Sequence, residues 1–256
     1  MSVKVEQLGQ AGFRICFGEI VLFIDPYLSN RVEEIEGPKL RRLVPIKYAP
    51  HKVADASYVL ISHEHMDHCD VDTLIPISKS SLLCKFIGPR NVINYLLQQG
   101  VAEENLITAN SETIVLDDGI VIYPVPAAHK EIEIDSDGFY RYLGYVICYE
   151  GKRYLHTGDT CVNTVMVERI REIGPIDVAF LPVNECNFYR DKAGIIGNMS
   201  IREAFLMAQE LDAKIVVPMH YDMFESNQAY QEEIELIYRR TNPDFKLQID
   251  SSKLAS

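Results

Sequence analysis

Three of the chain's seven histidines fall within six positions, together with a carboxylate, in the run Ile61-Ser-His-Glu-His-Met-Asp-His-Cys-Asp70. The donors are His63, His65, Asp67 and His68. Imidazole nitrogen and carboxylate oxygen suit zinc, manganese or iron. The segment before them, Ser57-Tyr-Val-Leu-Ile61, is apolar and β-branched and reads as a buried strand. Past the end of a strand, the alternating His63 and His65 can point to the same side. Asp67 and His68 then supply an oxygen and a nitrogen to a neighbouring position. So many polar groups beside an apolar strand cost stability unless something pairs with them. The competing reading is an exposed histidine-rich turn.

The run resembles the H-x-H-x-D-H motif of the metallo-β-lactamase superfamily. Three later segments supply further donors in the order that resemblance requires: Val125-Pro-Ala-Ala-His129, Arg153-Tyr-Leu-His-Thr-Gly-Asp159 and Lys214-Ile-Val-Val-Pro-Met-His220. Each donor stands just past a strand-like run, where a rigid sheet can aim loop residues at one cleft. The resemblance implies two divalent transition-metal ions, zinc or manganese, with iron also suited. His63, His65 and His129 would hold one; Asp67, His68 and His220 would hold the other; Asp159 would bridge them. It also implies an α/β fold, the four-layer αββα sandwich of two mixed β-sheets flanked by helices, with the metals at the sheet edge.

Two further residues are expected to steady those ligands. Asp25 ends the apolar run Ile20-Val-Leu-Phe-Ile-Asp-Pro26, where the superfamily keeps an acid near the metals; its alternative is to start the turn before Pro26. His156 is expected to brace the turn before Gly158 or to support Asp159 from behind. His51 reads as an ordinary surface residue. Cys69 and Cys161 follow ligand segments closely, yet the motif is complete without them.

Within the superfamily the chain is similar to the UlaG-type branch, the L-ascorbate-6-phosphate lactonases. The likeness is carried by Leu8-Gly-Gln-Ala-Gly-Phe13, Asp25-Pro-Tyr-Leu-Ser29, Tyr142-Leu-Gly-Tyr-Val146, Asn198-Met-Ser200 and the run from Leu211 to His220. Residues 184–197 diverge from that pattern. In this divergent stretch Arg190, with Asn184 and Tyr189, is the candidate for gripping a polar or anionic substrate, since an arginine fork pairs bidentately with phosphate. Lys192 and Arg141 are weaker candidates for the same task.

Such a metal set lowers the pKa of a bound water from about 15.7 to about 7, and stabilises charge developing on a carbonyl or phosphoryl oxygen. Asp67 can orient the resulting hydroxide. The expected activity is hydrolysis of a small lactone or ester, including a phosphorylated sugar lactone such as L-ascorbate 6-phosphate. The alternative is a phosphodiesterase or nuclease of the same fold, or a member that has lost catalysis. Dizinc β-lactamases usually carry Cys where this chain has Asp159. Flavo-diiron proteins carry an acid where it has His65.

Composition narrows the partners. The chain has 256 residues, a formal net charge of −12, 47% hydrophobic and 24% charged residues, and no Lys/Arg-rich run. Attraction to nucleic acid or to an anionic membrane is not expected. The expected partner is a small molecule, and a homo-oligomer is compatible with the sequence. No apolar stretch reaches transmembrane length, the N-terminus lacks a signal peptide's apolar core, and six cysteines form no Cys-x-x-Cys pair. A reduced, cytoplasmic protein follows as the expectation.

The periodicity predicts an antiparallel opening over residues 3–8, 12–17 and 20–25, then irregular chain over 26–56. A short helix is expected over 70–77, a strand over 83–88 and a helix over 89–99 started by Pro89. Strands are expected over 112–123, 142–149, 177–181 and 245–249, and helices over 162–173 and 228–240. Ser200-Ile-Arg-Glu203 is a capping box opening a helix to Leu211. No linker or repeat interrupts the chain, so one domain, residues 1–256, is expected.

Overall fold

The apolar runs become strands of two mixed sheets, and the amphipathic segments between them become helices. The structure is a computed structural model that describes residues 3–116 and 119–254. It divides into two compact units. One draws on residues up to Ala109, with Met223–Glu225 and the segment from Asp250 on; the other comprises Asn110–Asp222 and Ser226–Ile249.

In the first unit β1 (Val3–Gly9), β2 (Gly12–Phe17) and β3 (Ile20–Ile24) form an antiparallel meander. The sheet continues in parallel through β4 (Tyr58–Leu60), β5 (Lys85–Gly88) and β6 (Leu106–Thr108). All five residues of β3 are buried, as a central strand covered on both faces requires. The helices are α1 (Arg31–Glu36), α2 (Val71–Ser80) and α3 (Arg90–Gln98). Leu74 and Ile77 of α2 and Val92 and Leu96 of α3 pack with Phe23, Val59 and Phe86 of the sheet. Asp70, the last residue of the histidine-rich run, caps α2 by accepting from Asp72 N and from the Thr73 hydroxyl.

The second unit holds β7 (Ile114–Val115), β8 (Val121–Pro126), β9 (Leu143–Tyr149), β10 (Lys152–His156), β11 (Val178–Pro182), β12 (Ile215–Met219) and β13 (Lys246–Leu247). Pairing is antiparallel from β7 to β10 and parallel from β10 to β13. Its helices are α4 (Thr164–Ile173), α5 (Phe188–Lys192), α6 (Ile201–Glu210) and α7 (Gln231–Thr241). Met166 and Ile170 of α4 and Phe205 of α6 share a core with Leu155 and Val216. The capping box at Ser200 and Glu203 is formed as expected.

The expected class, two mixed sheets flanked by helices, is present. The local expectations differ in four places. Residues 26–56 contain α1 and two 3₁₀ turns, each with a proline at its start. A six-residue helix with one buried residue, Val32, is too short to show a period. The single strand expected over 112–123 is two, closed by Leu116 N donating to Ile120 O at 2.9 Å; Asp117 and Asp118 lie outside the described residues. β6 was not expected: it is a three-residue edge strand with no residue fully buried. The strand expected over 245–249 shrinks to β13. Among the described residues no helix is long and apolar enough to cross a membrane.

Candidate metal centre

The histidine-rich run begins where β4 ends, and its candidate ligands are set from behind by the residue that follows β3. Asp25 follows Ile24 with φ 42°, a left-handed conformation that aspartate tolerates better than most residues. It is fully buried. Its Oδ1 accepts from Ser62 N at 2.7 Å, and its Oδ2 accepts from Ser62 Oγ at 2.6 Å and from His68 Nδ1 at 2.8 Å. Ser62 has one hydroxyl proton, and Asp25 takes it. Ser62 Oγ is therefore the acceptor toward His63 Nδ1, 2.9 Å away. This network assigns the ring protons of His63 and His68 to Nδ1 and leaves both Nε2 atoms as lone-pair donors. His63 Nε2 stands 3.0 Å from His65 Nδ1, with the two rings edge-on at 4.5 Å.

Asp67 is steadied by the β1–β2 turn. Gln10 Nε2 donates to Asp67 Oδ2 at 2.6 Å, and that oxygen lies 3.7 Å from His68 Nε2. Gly9, at φ 96°, makes the turn possible: a Cβ there would meet Met223 Cε at 2.7 Å and Val44 Cγ1 at 2.9 Å.

In the second unit, Asp159 and His220 come together. His220 follows β12 with φ 60°, and its Nε2 lies 3.1 Å from Asp159 Oδ2. Asp159 stands beyond a turn in which Gly158 N donates to His156 Nδ1 at 3.1 Å, so His156 is tied into that turn. The turn lies hard against β9: a Cβ on Gly144 would come within 2.8 Å of Thr157 O and 2.9 Å of His156 O. His129 follows β8, is 5% exposed, and its ring centre lies 5.2 Å from that of Tyr142. Its loop is tied to the Asp159 segment by Ala128 N donating to Thr160 Oγ1 at 3.0 Å and Cys161 N donating to Ala128 O at 2.8 Å.

Residues 21–221 match the model of the β-lactamase superfamily domain. The chain belongs to the metallo-β-lactamase superfamily. Within it, the chain is similar to proteins named UPF0173 metal-dependent hydrolase. That of Methanoculleus marisnigri is 32% identical over 93% of this chain and 90% of its own length, and that of Pyrococcus abyssi is 30% identical over 91% of each. Among solved structures, the fold is shared with Igni18, a metallo hydrolase from Ignicoccus hospitalis, at TM-score 0.73, 24% identity and coverage of 100% of this chain and 98% of that one. It is shared too with an isothiocyanate hydrolase from Delia radicum gut bacteria, at TM-score 0.71, 16% identity and coverage of 97% and 95%.

Against this superfamily frame, the residues expected to grip substrate have other partners. The Arg190 guanidinium donates to the main-chain carbonyls of Asn184, of Glu185 at 2.8 Å and of Gln228 at 2.7 Å. Burial pulls its pKa down, against the opposing pull of Glu185 and Glu233. Arg190 therefore braces its own loop, which contains α5, capped by Asn187. Asn184 is fully buried and bonds to two other asparagines, Asn227 and Asn198. Tyr189 is 79% exposed on α5, and Lys192 is exposed. Arg141 pairs with Glu133 at 2.8 Å and lies over the Tyr142 ring. Cys69 sits in the first unit's core, where burial pushes its thiol pKa well up; burial also raises that of Cys161.

Sequence reasoning missed Ser62, Gln10, Asn198 and Asn227. Ser62 had a signal, a hydroxyl between a strand end and the first histidine. Gln10 and Asn198 lie inside motifs quoted above for the lactonase likeness, without a role attached. Asn227 had none.

Proposed function

We propose that the chain is a metal-dependent hydrolase that opens or cleaves a small lactone or ester. The observation that carries this reading is the Asp25–Ser62 network, which turns the Nε2 lone pairs of His63 and His68 outward from a buried acid. The donor set fits divalent zinc or manganese, with iron also suited. His63, His68, Asp159 and His220 are 1%, 0%, 4% and 3% exposed, and buried polar groups of this kind call for a compensating charge. In this reading His63, His65 and His129 would hold one ion, Asp67, His68 and His220 would hold the other, and Asp159 would serve both, with the whole chain acting as one catalytic domain.

Ions held there would supply an acidified water and a counter-charge for an oxyanion. The chain's own residues do the rest. Asp25 and Ser62 hold two imidazoles in the ligating tautomer. Gln10 steadies the Asp67 carboxylate, which would orient the attacking water. The motifs shared with the UlaG-type lactonases support a lactone or ester as the substrate class. A phosphorylated lactone such as L-ascorbate 6-phosphate belongs to that class, but Arg190 would have to leave three carbonyls to reach its phosphate. Six free cysteines support a reducing, cytoplasmic setting.

The test is metal content after purification without chelator, followed by turnover of lactone, ester and phosphodiester compounds across added metals. The expected result is two transition-metal equivalents per chain and lactone or ester turnover. Asp67→Ala should fold and lose nearly all of that turnover. Full activity in a folded, metal-free Asp67→Ala protein would overturn the reading.

A further inference from the structure

Three buried amides form a chain that ends on His220. Asn198 Nδ2 donates to Asn184 Oδ1 at 2.9 Å, Asn184 Nδ2 donates to Asn227 Oδ1 at 2.8 Å, and Asn227 Nδ2 faces His220 Nδ1 at 3.5 Å. All three asparagines are buried. They come from separate stretches: Asn184 just past β11, Asn198 before α6 and Asn227 after β12. A carboxamide has nearly the same shape at its two ends but opposite hydrogen-bonding sense. Each link can therefore run either way with little displacement of the chain.

The direction matters because the last link is an imidazole. As the amides stand, Asn227 donates to His220 Nδ1, so the ring proton sits on Nε2. That proton faces Asp159 Oδ2 at 3.1 Å, and Nε2 offers no lone pair to an ion. Turning all three amides over lets His220 Nδ1 donate to Asn227 Oδ1, Asn227 Nδ2 to Asn184 Oδ1, and Asn184 Nδ2 to Asn198 Oδ1. Nε2 then carries the lone pair. The final acceptor of that reversed chain is Asn198 Oδ1, a buried atom that accepts no hydrogen bond in the present direction.

We propose that Asn198, Asn184 and Asn227 are positioning residues that set which nitrogen of His220 bears the proton, and that their hydrogen bonds reverse when His220 ligates a metal. The proposal rests on the assignment of His220 as a ligand above. It makes the second unit's ligand conditional: paired with Asp159 in one direction of the amides, ready for an ion in the other.

Acceptor-only and apolar replacements separate this from a merely structural role. Asn227→Asp can accept from His220 Nδ1 and from Asn184 Nδ2 together, so zinc affinity, measured by competition with a chromophoric chelator, should equal or exceed that of the unaltered protein. Asn184→Asp, one link away, should behave likewise. Asn227→Leu should weaken one of two ions by about 10–100-fold, the usual cost of losing a partner behind a ligand. In the cobalt-substituted protein, the exchangeable Nδ1 proton of His220 should give a shifted proton resonance in the unaltered and Asp forms and lose it in the Leu form. A folded Asn227→Asp protein with zinc affinity tenfold weaker would overturn the relay, whether or not the Leu variant folds. His220→Ala distinguishes the two levels. Weakened binding there with an unaffected, folded Asn227→Leu protein removes the relay alone. Unchanged two-ion occupancy in His220→Ala removes the ligand assignment, and the relay with it.

Discussion

The two units hold their histidines by different chemistry. His68 Nδ1 lies 2.8 Å from the carboxylate of Asp25, whereas His220 Nδ1 lies 3.5 Å from the amide of Asn227. An ionised carboxylate only accepts, so the first contact has one direction and is charge-assisted. A carboxamide accepts at one end and donates at the other, so the second contact has two. In the first unit the tautomer is set by the fold. In the second it is set by whichever way the amides run.

The sharpest way to break this comparison is Asp25→Ala. It strips the partner from Ser62 N, Ser62 Oγ and His68 Nδ1 at once in a fully buried place. Zinc affinity should fall by at least about 10–100-fold, and unfolding free energy by at least about 1–3 kcal/mol. Chelator competition and urea denaturation measure the two. If the loss of affinity is smaller than in Asn227→Leu, the carboxylate is not the stronger brace.

Ser62→Ala probes the same network more gently. Its backbone N–H still reaches Asp25, and the hydroxyl's links to Asp25 Oδ2 and His63 Nδ1 go. Metal affinity should drop by roughly tenfold, the lower end of such effects. Calorimetric titration showing no change would mean that His63 keeps its tautomer without help.

The smallest effect is expected at Asp177, which precedes β11 in the second sheet. Burial raises its pKa, but Lys214 Nζ at 2.7 Å and Arg153 N at 2.9 Å more than offset this, and the net shift is downward. A carboxylate with a lowered folded-state pKa adds stability above its unfolded value, near 3.9, and loses it as pH falls through the folded value. The urea midpoint of the unaltered protein should therefore decline on acidification below about pH 4, and that of Asp177→Asn should decline less. The difference is small because Lys214 is largely exposed. Metal affinity should not differ between the two at neutral pH; a difference would tie the start of β11 to the candidate ligands.

The legible parts of the molecule were those whose signal is local. Four donors in six positions announce themselves, and Asp25 shows as an acid closing an apolar run. The strands were readable wherever five or more apolar residues stood together. The three-residue β6 and the short α1 and α5 were not, because a period needs more than one turn or two alternations to show. The amide chain was invisible for another reason. Its links join residues 14 and 43 positions apart, through neutral groups common in any loop. Arg190's type suggests an anion, while the carbonyls it donates to are visible only in the folded chain.

The missing side chain at Gly144 bears on how tolerant this protein can be of inherited change. With Thr157 O 2.8 Å from where a Cβ would sit, even alanine at 144 must shift the turn that leads to Asp159. A variant there would leave every proposed ligand's identity intact and still disturb the aim of Asp159. Genetic damage to the site therefore need not fall on the site, and a catalogue of ligands understates the positions at which this chain is constrained.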